Sequence, residues 1–129
     1  PATEALQKVG VMDDMDEDFK LLYSDDKEQI KNSLDAMDSQ TPLIVFDEEN
    51  GYRLAEYDLS LMSDQAVNIK YINLQGISSQ ATLADAFEIL NDKRSGALYV
   101  YNLLDNQQIM GLLRWDQIHH ILTIRNSLL

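Results

Sequence analysis

Apolar positions recur along this chain in two spacings, and each spacing occurs twice. From residue 26 to 37, apolar or small side chains fall at Ile30, Ser33, Leu34 and Met37. That is the i, i+3, i+4, i+7 stripe of a helix with one buried face. Asp26 is a natural N-cap, and Gln29 stands three positions later. From residue 82 to 90 the stripe is Leu83, Ala86, Phe87 and Leu90, with Thr82 as cap and Asp85 three positions on. The two stripes superpose at a constant offset of 53.

The segments after the two helices also match. Thr41-Pro42-Leu43-Ile44-Val45-Phe46-Asp47 aligns with Gly96-Ala97-Leu98-Tyr99-Val100-Tyr101-Asn102. Both runs are β-branched and aromatic, as well-buried strands are. A turn comes next. In the first copy it holds Asn50-Gly51, a strong hairpin signal; in the second it is looser, around Asp105-Asn106. Second strands are expected over 52–57 and 109–115. Each copy then reaches an aromatic-Asp pair, Tyr57-Asp58 or Trp115-Asp116, and a final helix that the Asp can cap. The last helix, over 117–125, is apolar at Ile118, Ile121, Leu122 and Ile124. Extended segments at 19–23 and 69–74 precede the two first helices. The unit is thus β-α-β-β-α, written twice: an α+β fold with repeats at 1–64 and 65–129. A repeat of about 50–60 residues is too small for a secure core, so the two copies are expected to pack through their sheets.

The charge is lopsided. Residues 1–64 carry 17 acidic and 5 basic side chains, residues 65–129 five of each, and the whole chain has net charge -12. Such a chain repels phosphate backbones and anionic lipid surfaces, so neither nucleic acid nor a membrane surface is an expected partner. No apolar run approaches the ~20 residues that span a bilayer, so no direct membrane insertion is expected. The absence of cysteine removes disulfides, thiol nucleophiles and thiolate metal sites. The chain opens Pro1-Ala2-Thr3, which suggests a segment of a longer protein, the favoured expectation, or a processed start.

The order of elements and their duplication resemble a tandem pair of cystathionine-β-synthase (CBS) domains, a Bateman module. The second copy carries the clearer match, in Thr82-Leu83-Ala84-Asp85-Ala86, Ile89-Leu90, Ala97-Leu98-Tyr99-Val100-Tyr101 and Met110-Gly111-Leu112-Leu113-Arg114-Trp115-Asp116-Gln117-Ile118. The first copy keeps Thr41-Pro42-Leu43-Ile44-Val45 but has Arg53-Leu54-Ala55 where the family has its glycine step. A narrower resemblance lies in Pro1-Ala2-Thr3-Glu4-Ala5-Leu6, Val9-Gly10-Val11-Met12-Asp13 and Gly111-Leu112-Leu113-Arg114-Trp115. Together with the degenerate first copy, it is similar to the cytoplasmic tail of bacterial CLC-type chloride channels and antiporters. These resemblances imply a cytoplasmic regulatory module attached to the transmembrane part of a transporter, and a homodimer. The alternatives are a ligand-free dimerisation module, or the CBS part of a soluble enzyme or divalent-cation transporter.

The CBS resemblance also implies an adenosine nucleotide (ATP, ADP or AMP) held by both copies. The matching positions are Thr41, Pro42 and Asp58 in the first copy, and Thr82, Gly96, Ala97, Arg114 and Asp116 in the second. The aspartates would hold ribose hydroxyls and Arg114 a phosphate. The family spacing Gly-x-x-Thr/Ser-x-x-Asp is not kept: Arg114 stands at the hydroxyl position, and Asp116 comes one residue early. The other reading of Asp58 and Asp116 is helix capping alone.

Other chemistry is sparse. Asp14, Asp16 and Asp18 have the opening spacing of a calcium loop, but Phe19 and Asp25 replace its glycine and glutamate; a solvated acidic segment is expected. His119 and His120 are adjacent and diverge on a helix, so no metal site is expected. No phosphate loop or hydrolase motif occurs, and the chain is not expected to be an enzyme. Tyr99, Tyr101 and Trp115 read as core or interface residues.

Overall fold

A computed structural model describes residues 7–59, 68–93, 96–118 and 120. In chain order the elements are α1 (Val11–Asp14), β1 (Lys20–Tyr23), α2 (Lys27–Ala36), β2 (Leu43–Asp47), β3 (Gly51–Tyr57), β4 (Ile69–Ser78), α3 (Leu83–Lys93), β5 (Ala97–Asn102) and β6 (Asp105–Arg114). Residues 115–118 and 120 are helical. The expected final helix of the first copy, and most of the one expected over 117–125, lie outside the described residues.

By packing, the chain divides into one unit of Asp18–Leu74 and another of Pro1–Glu17 with Gln75–Leu129. In the first unit, β1 runs parallel to β2, while β2–β3 and β3–β4 are antiparallel. Asp26 caps α2 as expected, accepting from the Glu28 amide at 3.1 Å. Gln29 does not close a direct capping box. The Ser24 hydroxyl donates to its amide oxygen at 2.8 Å and accepts from the Asp26 N–H at 3.0 Å. The α2 stripe then buries Ile30 completely among Leu43, Val45 and Ala55, with Leu22, Leu34, Met37, Ile69 and Tyr71 around them. Burying an isoleucine side chain of this kind is worth roughly 1.5–3 kcal/mol.

The second unit has a larger core. Leu83, Ala86 and Leu90 of α3 meet Leu98, Val100 and Leu113 of the β5–β6 hairpin, together with Ile118. Here the capping box is direct and reciprocal. The Asp85 N–H donates to the Thr82 hydroxyl at 3.2 Å, and the Thr82 N–H to the Asp85 carboxylate at 3.0 Å.

Three findings bear on these expectations. First, residues 9–16 pack with residues of the second copy, so the packing units do not coincide with the 64/65 repeat boundary. Val9, Val11 and Met15 are buried in the second unit's core. The Val11 N–H donates to the Ala81 carbonyl, the Leu83 N–H to that of Val9, and Asp16 exchanges both backbone bonds with Leu112 of β6. Likewise β4 pairs with β3 through Asn73 and passes into the second unit at Leu74/Gln75. Second, the β5–β6 turn is tighter than the composition implies. Asn102 pairs with Asp105 across Leu103-Leu104, and Asp105 and Asn106 belong to β6. The Asn102 side chain accepts from the Leu104 N–H at 3.0 Å, doing locally what a glycine turn does by conformation. Third, the helical stretch after β6 begins at residue 115, so Asp116 lies inside its first turn.

Candidate functional site: matching strand ends in the two units

In the first unit, Leu43 opens β2 opposite Ala55 of β3. The residues before β2 and after β3 therefore share one end of the hairpin, where Thr41, Pro42 and Asp58 stand. Pro42 is buried, and its carbonyl accepts from the Lys20 N–H at 2.9 Å. The Asp58 N–H donates to the Asn68 carbonyl at 2.8 Å. Tyr57, beside Asp58, hydrogen-bonds to the Asp35 carboxylate and donates to the Lys31 carbonyl at 3.4 Å. That anchors this strand end to α2.

The second unit repeats the arrangement. Ala97 opens β5 directly opposite Arg114, the last residue of β6. The Trp115 N–H donates to the Gly96 carbonyl at 3.2 Å. Gly96, Ala97, Arg114 and Asp116 are thus brought to one strand end, with Gly96 and Asp116 exposed, Arg114 half-buried and Ala97 buried. Trp115 stacks on Phe87 of α3, ring centroids 5.3 Å apart at 25°.

Gln117 belongs to none of the candidate positions, yet it makes a bond at the start of this helix. Its side-chain oxygen accepts the Arg114 N–H at 2.8 Å. That is the N3-to-N-cap half of a capping box, with Arg114 at the cap position. The signal is a local one: a Gln three residues past the end of an apolar strand. Asp116, one residue inside the helix start at 115, does not occupy the cap position.

Thr82 is not brought to this end. The Ser79 N–H donates to Tyr101 at the far end of β5, and Thr82 comes three residues later, bridged to Gly10. Its hydroxyl serves the α3 capping box. The acidic run does not form a loop either. Asp13 and Asp14 end α1, and the paired Asp16–Leu112 backbone holds the residues after them extended; among the described residues no three His, Asp or Glu side chains are grouped to hold a metal ion. No described helix is long and apolar enough to cross a membrane.

No protein-family model and no curated protein matches the chain. Solved structures do. The CBS domain of the bacterial CNNM/CorC family Mg2+ transporter, in complex with an inhibitor, aligns with a TM-score of 0.68 at 9% identity, covering 94% of this chain and 80% of that one. The same domain in complex with ATP gives 0.64 at 10%, covering 95% and 92%. A CBS-domain pair with bound AMP from Klebsiella pneumoniae gives 0.61 at 14%, covering 90% and 99%. At these identities the likeness concerns architecture. This chain has the α+β fold of a CBS-domain pair.

Proposed function

We infer that the chain is a regulatory CBS-pair module, without catalytic chemistry of its own, that senses an adenosine nucleotide on behalf of an attached membrane transporter. The observation that carries this reading is the arrangement at residues 114–117. Asp116 lies inside the first helical turn, past the cap position, and stands exposed at the same strand end as Arg114 and the side-chain-free Gly96. This donor set suits a nucleotide: a carboxylate accepts from ribose hydroxyls, and a guanidinium pairs with phosphate. Asp58, with Thr41 and Pro42, is the counterpart in the first unit. The structural neighbours with AMP and ATP bound support the same reading.

For the host, the CNNM/CorC neighbours favour a divalent-cation transporter. The chloride-channel reading rests on the opening residues, the degenerate first copy and the Gly111 to Trp115 step. Of these, residues 1–6 lie outside the described residues, and Gly111 has a local structural reason. A Cβ there would lie 2.5 Å from the Met15 sulfur. In either host the module works on the cytoplasmic side, as one of a pair of identical chains. Ligand contacts would bias its conformation, and through it the transporter.

The test is calorimetric titration with ATP, ADP, AMP and adenosine. One of these is expected to bind, with Asp116→Ala weakening it about tenfold while Gln117→Ala lowers the melting temperature and leaves affinity intact. Absence of binding for all four, or equal affinity for Asp116→Ala and the parent, overturns the nucleotide reading in favour of the ligand-free dimerisation module.

A further inference from the structure

The opposite end of the first unit carries a second feature, independent of the nucleotide reading. Tyr23, Phe46 and Tyr52 stand in register on adjacent strands β1, β2 and β3. Phe46 meets Tyr23 edge-on with centroids 5.8 Å apart, and meets Tyr52 at 4.5 Å. The row ends in solvent, with Tyr23 62% exposed. Beside it lies an open depression of about 500 Å³, lined by Tyr23, Ser24, Asp25, Phe46, Asp47, Glu48 and Glu49. Asp25, Glu48 and Glu49 are exposed carboxylates on its rim.

Rings flanked by carboxylates attract a cation twice, through the negative ring face and through charge pairing. A planar guanidinium uses both at once; an ammonium uses them less well. The same unit already contains one such assembly. The Arg53 guanidinium lies 4.2 Å over the Tyr71 ring and pairs with Asp47 at 3.1 Å. Asp47 is therefore engaged internally, which leaves Asp25, Glu48 and Glu49 to face outward. The unit's surroundings reinforce the field, since the acidic excess of the chain lies in its first half.

We propose that the Tyr23–Phe46 depression is a docking site for an arginine-bearing segment of a protein partner, with the guanidinium stacked on the exposed ring and paired to Glu48 or Glu49. The test uses the intact chain and an Arg-Gly-Arg-Gly-Arg peptide, followed by NMR titration in 50 mM salt, with its lysine analogue alongside. Tyr23→Ala and the Glu48→Gln/Glu49→Gln pair are each expected to weaken binding at least fivefold. The lysine peptide is expected to bind at least threefold more weakly. The charge-matched control Glu88→Gln/Asp92→Asn on α3 stays within twofold. If the control weakens binding as much as the Glu48/Glu49 pair, or Tyr23→Ala has no effect, the attraction is diffuse and the site does not exist. Sedimentation of the parent and Tyr23→Ala supplies the other overturning outcome: a dimer lost in the variant would give the row to a second copy of the chain. Nucleotide affinity measured on the same variants should be unchanged, so failure here leaves the nucleotide reading where it stood.

Discussion

The two copies build the same hairpin end and secure it to their helices by different chemistry. In the first, the aromatic at the end of β3 is Tyr57, whose phenol hydrogen-bonds to Asp35 and Lys31 of α2. In the second it is Trp115, whose indole stacks on Phe87 of α3. The sheet faces away from the helices are solved differently as well. Leu21, Ile44 and Leu54 stand in register in the first copy. At the equivalent positions of the second, Tyr99 faces Leu112 and lies over Gly76. A larger residue on the middle strand is matched by the loss of a side chain on its neighbour. What the repeat preserves is volume at each layer, not residue type.

That volume exchange should give the strongest response to mutation. A Cβ on Gly76 would come within 2.6–2.9 Å of three Tyr99 atoms. Gly76→Ala is therefore expected to cost about 1–3 kcal/mol through overpacking, read as a lower urea midpoint at unchanged slope. In the Tyr99→Leu background the same substitution is expected to cost far less. Costs that simply add would show that Gly76 is there for its backbone and not for the ring.

Capping gives the next contrast. Thr82 and Asp85 form a reciprocal box, whereas Asp26 shares its end of α2 with Ser24, which also holds the Asp26 N–H. Thr82→Ala and Asp26→Ala are each expected to cost about 1 kcal/mol, because each removes the acceptor of one first-turn N–H and leaves the cap residue's own N–H held, by Asp85 or by Ser24. Thermal unfolding should show comparable drops. A much larger drop for Asp26→Ala would mean that the Ser24 bridge depends on the Asp26 side chain.

These contrasts also separate what local sequence encodes from what only the fold decides. Both first helices and their N-caps follow from periodicity, and the six strands from short β-branched and aromatic runs, though β4 runs four residues past its expected end and β6 starts four residues before its expected beginning. The partner of residues 9–16 follows from no such pattern. Val9, Val11 and Met15 complete a core whose other residues begin more than 60 positions later, and no local spacing encodes that distance. The same holds for the candidate site. Gly96, Ala97, Arg114 and Asp116 share a strand end because β5 and β6 pair, which the match to the first copy's hairpin implies. The family motif groups Thr82 with them, but strand direction places it at the other end. Gln117 is legible from capping rules, but the neighbouring aspartate offers a simpler cap.

The weakest effect separates the copies by pH. Asp47, at the β2–β3 turn, has its pKa lowered chiefly by the Asn50 backbone N–H, then by the Asn50 amide, the Arg53 guanidinium and the Glu49 N–H, against an opposing cost of burial. A lowered folded-state pKa stabilises above the unfolded carboxylate value, and that contribution is lost as pH falls through the folded one. Tyr99 shifts the other way, raised first by burial and then by Tyr101. Its contribution is complete below the ordinary phenol value near 10 and is lost as pH rises through the higher folded value. The first copy should therefore carry an acid-sensitive turn and the second an alkali-sensitive strand. Melting temperatures from pH 2.5 to 11 should show Asp47→Asn flattening only the acid limb and Tyr99→Phe only the alkaline limb, whatever either does to stability at pH 7. If Tyr99→Phe left the alkaline limb unchanged, the loss there would belong to other groups. Tyr99 would then differ from Ile44 in bulk alone, and the volume exchange with Gly76 would be the whole of the difference between the two middle strands.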